Sequence, residues 1–141
     1  MPKTKLTARF IEPMLLLRTD KLPEGPGWLR ELKFDGYRAL AIKTGGRLRL
    51  RSRNDKDFGT RYPGIVKALA PMPDETVIDG EVVALDREGR PSFNLLQNYG
   101  SASVPLHFFV FDVLILKGED VMNEPLVNRR QLLEKHVLPA R

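Results

Sequence analysis

The sequence lacks cysteine altogether and has only two histidines among its 141 residues. Without cysteine, neither a disulfide framework nor a metal site built on thiolates is available. Any metal ion must therefore be held by oxygen ligands or by His107 and His136. Neither histidine has a partner at the spacing of a metal site, which favours structural or exposed roles for both.

Long hydrophobic runs are missing as well. No stretch approaches the roughly 18 consecutive apolar residues of a membrane-spanning helix, and the basic residues 1–7 lead into no signal-like apolar core before Pro13. With 42% hydrophobic and 29% charged residues, the composition is that of a globular chain with room for one core. We expect a soluble, cytoplasmic, single-domain protein that does not bind membranes.

Positive charge is in excess, with a formal net charge of +5 and a pI near 9.7. Such an excess favours an anionic partner without distinguishing a nucleic acid from a nucleotide. The cations concentrate between residues 43 and 61, where only Asp55 and Asp57 oppose them; they are Lys43, Arg47, Arg49, Arg51, Arg53, Lys56 and Arg61. This stretch is a candidate phosphate-contacting face, and a solvated strand and loop without a ligand is the alternative.

Alternating apolar and polar residues predict strands over residues 28–33 and 47–53, and residues 37–43 and 77–85 have strand character as well. Residues 106–116 are predicted to be a buried strand because they are the most hydrophobic segment and are rich in β-branched and aromatic residues. Helices are predicted over residues 62–69, 92–98 and 128–136, the second with Ser92 as its N-cap. These elements do not alternate as βαβ units, so we predict an α+β fold with mostly antiparallel sheets flanked by helices. Residues 1–27 are predicted to be an irregular segment that packs on a body formed by residues 28–141.

The stretch KFDGYR, residues 33–38, places Lys33, Asp35 and Arg38 around Gly36. A lysine amine is a nucleophile only when neutral, so its usual pKa of about 10.4 must be lowered by desolvation or by nearby cations. Attack on the α-phosphorus of a nucleoside triphosphate would give a lysyl phosphoramidate and pyrophosphate. Arginines and a divalent cation would balance the phosphate charge. A surface lysine whose stem lies on the sheet is the alternative.

Four motifs give the sequence its resemblance to a known superfamily. Residues 33–38 resemble motif I of the covalent nucleotidyltransferases, which comprise DNA ligases, RNA ligases and mRNA capping enzymes. In the family's order, residues 52–54 then resemble motif Ia, residues 79–81 motif III and residues 108–114 motif IIIa. Four segments are similar to the sequences of bacterial ATP-dependent DNA ligases, especially to the ligase module of end-joining ligase D enzymes. They are ELKFDGYRAL, SRNDKDF, IDGEVVALD and PSFNLLQ.

The resemblance implies the ATP-grasp-like nucleotidyltransferase fold of DNA ligases and capping enzymes. It implies an adenylation domain that forms lysyl-AMP from ATP with Mg²⁺ or Mn²⁺ and passes AMP to a DNA 5′-phosphate for attack by a 3′-hydroxyl. The implied partners are nicked or broken duplex DNA and end-joining proteins, and the implied location is the bacterial nucleoid.

The resemblance also assigns roles within motifs I and Ia. Lys33 is the implied nucleophile, and Asp35 is its electrostatic partner in the later steps. Glu31 is expected to accept from the adenine amino group, which selects ATP over GTP. Arg38 would hold the ribose and phosphate of AMP, and Arg53 a phosphate of the nucleotide or of the nicked strand.

In motifs III and IIIa, Glu81 is expected to contact the ribose hydroxyl and to help place the metal ion. Phe108 is expected to stack on the adenine face. Each has an alternative. For Glu81 it is an ion pair with an arginine, and for Phe108, which lies in an apolar strand, it is core packing. Asp112 could simply cap its strand.

The resemblance is partial, because no match to the family's motif IV carboxylate, motif V lysines or OB-fold module is found in the sequence. The match corresponds to about two thirds of an adenylation domain, and both an excised piece and a natural short product remain open. We expect the chain alone to seal no nicks and to adenylate itself weakly or not at all. An RNA ligase or capping activity, a non-catalytic nucleic-acid-binding module and an inactive ligase remnant are the alternatives.

Overall fold

A computed structural model of the chain describes residues 5–15, 25–27, 36–99 and 105–138. Five strands are described, namely β1 (Tyr37–Thr44), β2 (Arg47–Ser52), β3 (Thr76–Ala84), β4 (Leu106–Leu116) and β5 (Glu119–Asp120). Three helices accompany them, namely α1 (Pro63–Leu69), α2 (Phe93–Gln97) and α3 (Leu126–His136). The strands form one sheet in the order β2-β1-β3-β4-β5, and every neighbouring pair is antiparallel.

This architecture confirms the predicted α+β class with an antiparallel sheet and flanking helices. Ser92 caps α2 as predicted, because its hydroxyl accepts a hydrogen bond from the Leu95 N–H at 3.3 Å. The two-residue strand β5 was not predicted, because Glu119 and Asp120 carry no apolar alternation. The strand predicted over residues 28–33 lies outside the described residues.

One face of the sheet is covered by helices. Ile65 of α1, Leu96 of α2 and Leu133 of α3 are all buried in the same cluster as Leu50 and Val82 of the sheet. Alternation along the strands explains this apolar face, because every second side chain of a strand points to the same side. None of the helices in the described part of the chain has the length and apolar character needed to cross a membrane.

The opposite face carries a smaller cluster of Leu40, Ile42, Val77 and Ile115, and Ala8 of the N-terminal segment is buried against it. Phe10 and Ile11 pack on the same cluster. Residues 5–15 therefore cover one part of this face. The predicted boundary between residues 1–27 and 28–141 stays a prediction.

Glu75 fixes the N-terminal segment to the sheet. Its carboxylate accepts from the Ala8 N–H at 2.8 Å, from the Thr44 hydroxyl at 2.7 Å and from the Gly45 N–H at 3.2 Å. These hydrogen bonds lower the pKa of the Glu75 carboxyl, with the Ala8 N–H as the largest cause. A second tie joins the Leu6 N–H to the Gly118 carbonyl at 2.8 Å.

Candidate functional site

A cleft of about 1200 Å³ opens on the sheet face that carries Leu40, next to the part covered by the N-terminal segment. Its walls come from residues of that segment, from the start of β1, from the middle of β3 and β4, and from the first turns of α3. Four arginines line it, which are Arg38, Arg53, Arg129 and Arg130. Four carboxylates line it too, those of Glu12, Asp79, Glu81 and Asp112, so the arginines offer a phosphate local hydrogen bonds rather than a net positive field.

Arg38 and Asp79 form an ion pair at the cleft wall. The Arg38 guanidinium donates from Nε to Asp79 Oδ1 at 3.0 Å and from Nη2 to Oδ2 at 2.6 Å. The Asp79 side chain is only 4% exposed, whereas that of Arg38 is 19% exposed. A third donor, Nη1, reaches the Met14 carbonyl at 2.6 Å and so links the pair to the N-terminal segment.

Burial raises the pKa of the Asp79 carboxyl, and the hydrogen bonds from Arg38 oppose that rise. The same hydrogen bonds raise the pKa of Arg38, with burial opposing them. A buried carboxylate is stable only when it is paired and hydrogen-bonded. Arg38 is therefore the residue that makes a buried charge at Asp79 tolerable.

A second arginine–aspartate pair lies on the neighbouring wall. Arg129 of α3 donates from Nε to Asp112 Oδ1 at 2.8 Å and from Nη2 to Oδ2 at 3.2 Å. Its Nη1 donates to the Glu124 carbonyl at 2.6 Å. Both side chains are 15% exposed. The suggestion that Asp112 merely caps its strand is incomplete, because it also binds a helix 17 residues away in sequence.

The β3–β4 register is irregular where these pairs meet. Asp79 lies opposite Asp112 and Gly80 opposite Val110, so Phe111 is an extra residue in β4. Such a bulge breaks strict alternation and re-aims side chains. As a result both Phe111 and Asp112, consecutive in sequence, line the cleft. The Arg38 Cζ atom lies 5.2 Å from the centroid of the Phe111 ring, in cation–π geometry.

Phe108, the predicted stacking residue, lies elsewhere. It is opposite Val82 in the register and packs on the helix-side cluster, whereas Phe109 and Phe111 line the cleft. Its ring covers Gly80, where an added Cβ would come within 2.9 Å of the ring and 2.6 Å of the Phe109 carbonyl oxygen. The core-packing alternative thus accounts for this side chain.

Glu81 and Arg53 both line the cleft as well. Glu81 lies opposite Arg38 in the β1–β3 register, and paired residues of an antiparallel sheet share one face. Arg53 follows the last residue of β2 and is exposed. The roles predicted for both in binding nucleotide, phosphate or metal stay predictions.

The lysine motif is described only from its glycine onwards. Lys33, Asp35 and Glu31 lie outside the described residues, so their assigned roles stay predictions. Gly36, three residues after Lys33, lines the cleft. A Cβ at Gly36 would fall 2.1 Å from the Val82 carbonyl oxygen, so only glycine fits so close to β3.

No group of three or more histidine, aspartate or glutamate side chains in the described ranges is placed to hold a metal ion. Asp79 and Asp112 are each held by an arginine. Magnesium is commonly bound through one or two carboxylates together with substrate phosphates. Glu81 at the cleft wall fits that shared mode, whereas a cage made of protein ligands alone does not fit the described residues.

The basic stretch lies partly along the sheet edge. Leu48 and Leu50 pack on the helix-side core, while Arg49 and Arg51 lie opposite Ile42 and Leu40 on the other face. Alternation along β2 therefore places its leucines on one face of the sheet and its arginines on the other. Arg51 is tied to Asp55 at 2.8 Å, and Arg47 and Arg49 are exposed on this edge strand.

Sequence reasoning missed three cleft residues: Phe109, Phe111 and Arg129. Phe109 could have been found from alternation. Consecutive strand residues face opposite sides of the sheet, so assigning Phe108 to the core assigns Phe109 to the cleft. Phe111 follows from Phe109 by the same alternation, whereas the bulge is what brings Asp112 to that face as well. Arg129 depends on a contact across 17 residues, for which there is no local signal in the sequence.

Comparisons with known proteins agree with these observations. A family model described as the ATP dependent DNA ligase domain matches residues 13–141. The multifunctional non-homologous end joining protein LigD of Pseudomonas aeruginosa is 38% identical over 128 residues, covering 89% of this chain and 15% of that protein. The corresponding DNA repair protein LigD of Mycobacterium tuberculosis is 40% identical over 108 residues, covering 76% of this chain and 14% of that protein.

A solved structure described as mycobacterial DNA ligase D complexed with ATP and MES superposes with a TM-score of 0.64 at 39% identity. The match covers 74% of this chain and 35% of that one. The chain thus spans only a small part of the full-length relatives and about a third of the solved ligase.

Proposed function

We propose, on the premise that the chain belongs to the ATP-dependent DNA ligase family, that its cleft binds ATP and that Lys33 takes up AMP for transfer to DNA. The observation that carries the proposal is a large cleft walled by arginines and aromatic rings beside the glycine of the lysine motif. A relative of similar fold is described as bound to ATP.

The covalent chain supports the placement of the nucleophile. Three residues separate Lys33 from Gly36, and three extended residues span at most about 11 Å. Gly36 is itself part of the cleft wall. The chain therefore keeps the Lys33 backbone within about 11 Å of Gly36. In this proposal, the positive charge of Arg38 and Arg53 at the cleft favours the neutral amine.

Adenylation by this route balances without any other reactant. The Lys33 nitrogen forms a bond to the α-phosphorus of ATP, the bond from that phosphorus to its bridging oxygen breaks, and pyrophosphate leaves. The amine proton passes to solvent. An oxygen of a DNA 5′-phosphate then attacks the same phosphorus and frees the lysine, after which a 3′-hydroxyl displaces AMP and joins the strands.

The cleft residues divide the work of holding the nucleotide. Arg38 is held by Asp79 and lies against Phe111, so it presents a positioned positive charge to the ribose and α-phosphate side of AMP. Glu81 would hold a magnesium ion jointly with the phosphates, and that ion supplies charge neutralisation at the reacting phosphate. Glu31 is proposed to read the adenine amino group.

For the adenine ring we propose Phe111 rather than Phe108 as the stacking partner. Phe111 lines the cleft, whereas Phe108 packs on the helix-side core. An aromatic ring stacks on a base only if one of its faces is open to the ligand.

The DNA is proposed to lie along the arginine edge of the sheet. Arg47 and Arg49 are exposed on the edge strand β2, on the same face as the cleft, and Arg53 lies at the cleft itself. Arginines that contact successive phosphates position a duplex without reading its sequence. Duplex DNA with a nick or a break, met at the nucleoid together with end-joining proteins, is the proposed partner.

Labelled ATP with magnesium, followed by a denaturing gel, tests the central step. We expect weak covalent labelling of the wild-type chain, because the 141 residues correspond to only about a third of the solved ligase and supply only part of the charge stabilisation of the transition state. Lys33→Ala should abolish the label, and Lys67→Ala, which removes an exposed lysine of α1, should leave it unchanged.

Label that survives Lys33→Ala, or a wild-type chain that neither takes label nor binds ATP, would contradict the proposal. Competition with unlabelled ATP and GTP separates a DNA ligase from a capping-type enzyme. ATP should displace the label and GTP should not. Salt-dependent DNA binding that persists in Lys33→Ala without any covalent nucleotide would instead favour a non-catalytic module.

A further inference from the structure

Two carboxylates face each other where β3 meets β4. Asp79 and Asp112 are direct partners in the strand register, and both line the cleft. Carboxylates directly opposite each other on neighbouring strands are destabilising unless they are neutralised. Here each is neutralised by a different element, Asp79 by Arg38 of β1 and Asp112 by Arg129 of α3.

The two pairs are electrically coupled. The Asp112 charge contributes to raising the pKa of Asp79, after burial as the larger cause, and it also contributes to raising the pKa of Arg38. Arg38 therefore lies within the field of both carboxylates. If Asp112 lost its own arginine, it would become a competing acceptor for the Arg38 guanidinium.

The aromatic wall of the cleft depends on the same arrangement. Phe111 precedes Asp112 in the bulge, and the Arg38 guanidinium carbon lies 5.2 Å from its ring centroid. A shift of Arg38 toward Asp112 would separate it from Asp79 and change its position over the ring. The position of Arg38 thus determines both the neutralisation of Asp79 and the cation–π contact with the Phe111 ring.

We propose that Arg129 is a positioning residue: by neutralising Asp112 it keeps Arg38 on Asp79 and against Phe111. The expected effect on ATP binding rests on the proposed function of the cleft. The effect of Arg129 on the position of Arg38 is independent of that function.

The hydrogen bonds of Arg129 fix its guanidinium against Asp112. Its Nε and Nη2 donate to Asp112 and its Nη1 donates to the Glu124 carbonyl, so three of the five N–H groups of the guanidinium are used, as they are in Arg38. The effect of removing the Asp112 charge is what separates positioning from direct contact with a ligand. If Arg129 acts by neutralising Asp112, removing Arg129 should have little effect once Asp112 has been changed to Asn. If Arg129 contacts the ligand, removing it should weaken ATP binding in either background.

A double-mutant cycle separates these two roles. The proteins are the wild-type chain, Arg129→Gln, Asp112→Asn and the double variant, with Arg90→Gln as the matched control. Arg90 is 70% exposed and pairs with Asp86 and Glu88 in a turn. Two quantities are measured: proton exchange at Arg38 Nε by NMR without nucleotide, and the Kd of magnesium-ATP by calorimetry.

Arg129→Gln should accelerate exchange at Arg38 Nε about tenfold and weaken ATP binding by a similar factor. The double variant should return both quantities to within about threefold of the wild type. Arg90→Gln should change neither.

Unchanged exchange at Arg38 in Arg129→Gln would overturn the inference, and so would a double variant that exchanges as fast as Arg129→Gln. If Arg129→Gln does not fold, the double variant is compared with Asp112→Asn, and faster exchange in the double variant would overturn it equally. A wild-type chain that does not bind ATP would contradict the proposed function. The positioning role of Arg129 would still be tested by proton exchange at Arg38 Nε, because that measurement uses no nucleotide.

Discussion

The two faces of the sheet are built by the same strands but serve different ends. On the helix side Val82, Val113 and Leu50 are fully buried among apolar neighbours. On the other side, Leu40 belongs to an apolar cluster, and Arg38, two residues earlier in β1 and on the same face, belongs to the cleft. Alternation lets one strand stabilise the fold with one set of residues and build a site with the next. Substitutions of apolar residues on the helix side should therefore change stability alone, whereas substitutions on the cleft side should change ligand binding and, where a buried charge loses its partner, stability as well.

The largest effect is expected from Arg38→Ala. It leaves the buried Asp79 carboxylate without its partner, and loss of one member of a buried pair costs about 3 kcal/mol or more in the free energy of unfolding. Urea unfolding at neutral pH measures this. Arg38→Ala combined with Asp79→Asn should regain much of the lost stability, and a double variant no more stable than Arg38→Ala would contradict the explanation.

Two phenylalanines of one strand provide the sharpest contrast between the faces. Phe108→Leu should lower the free energy of unfolding by about 1 kcal/mol, because it opens space over Gly80, and should leave ATP binding unchanged. Phe111→Leu should weaken ATP binding by about tenfold through lost stacking, with a smaller loss of stability. Thermal unfolding and calorimetry on the same samples test both, and the opposite pattern would show that Phe108 is the stacking residue.

A smaller, pH-dependent effect is expected at Glu75, which joins the N-terminal segment to the cleft-side face. Its pKa is lowered in the folded state, chiefly by the Ala8 N–H, so its contribution is present above the ordinary value of 4.5 and is lost as pH falls through the lowered value. Glu75→Gln should therefore be less stable than the wild type at pH 7 and approach it below about pH 4. Urea unfolding across this range, with the exposed Glu134→Gln as control, tests the sign.

The smallest effect on the fold is expected from Arg49→Gln at the exposed sheet edge. Its removal should leave the unfolding temperature unchanged and reduce the salt dependence of duplex DNA binding by about one phosphate contact. Fluorescence anisotropy over a salt series measures this slope. An unchanged slope would place the DNA elsewhere on the molecule.

The sequence predicted regular features better than irregular ones. Alternation, local composition and helix-start signals such as Ser92 located four of the five described strands and all three described helices. The order of the motifs indicated which of those strands contribute to the site. The pattern of an element and the residues of a motif each lie within a short stretch of chain, so a single sequence contains them in full.

The misses share a physical cause. The bulge at Phe111 brings Asp112 to the cleft face without leaving a mark in the alternation. Phe108 was assigned to the adenine through the resemblance to the motif, which does not show which face of the sheet a side chain occupies. The pairing of Arg129 with Asp112 joins two elements through tertiary packing, and no local rule encodes it. Side-chain positions at a site depend on such long-range contacts more than the elements themselves do.

The irregular register of β4 has one more consequence. Of the described strands, β5 pairs only with Ile115 and Leu116, which leaves the rest of the outer edge of β4 without a strand neighbour among them. Straight, flat edges invite pairing with other chains and hence aggregation, and local twisting discourages it. Bulges such as those at Phe111 and Leu114 increase the local twist of a strand. The same distortion that turns a ring and a carboxylate toward the cleft therefore makes the described part of this edge a poorer template for pairing with another strand.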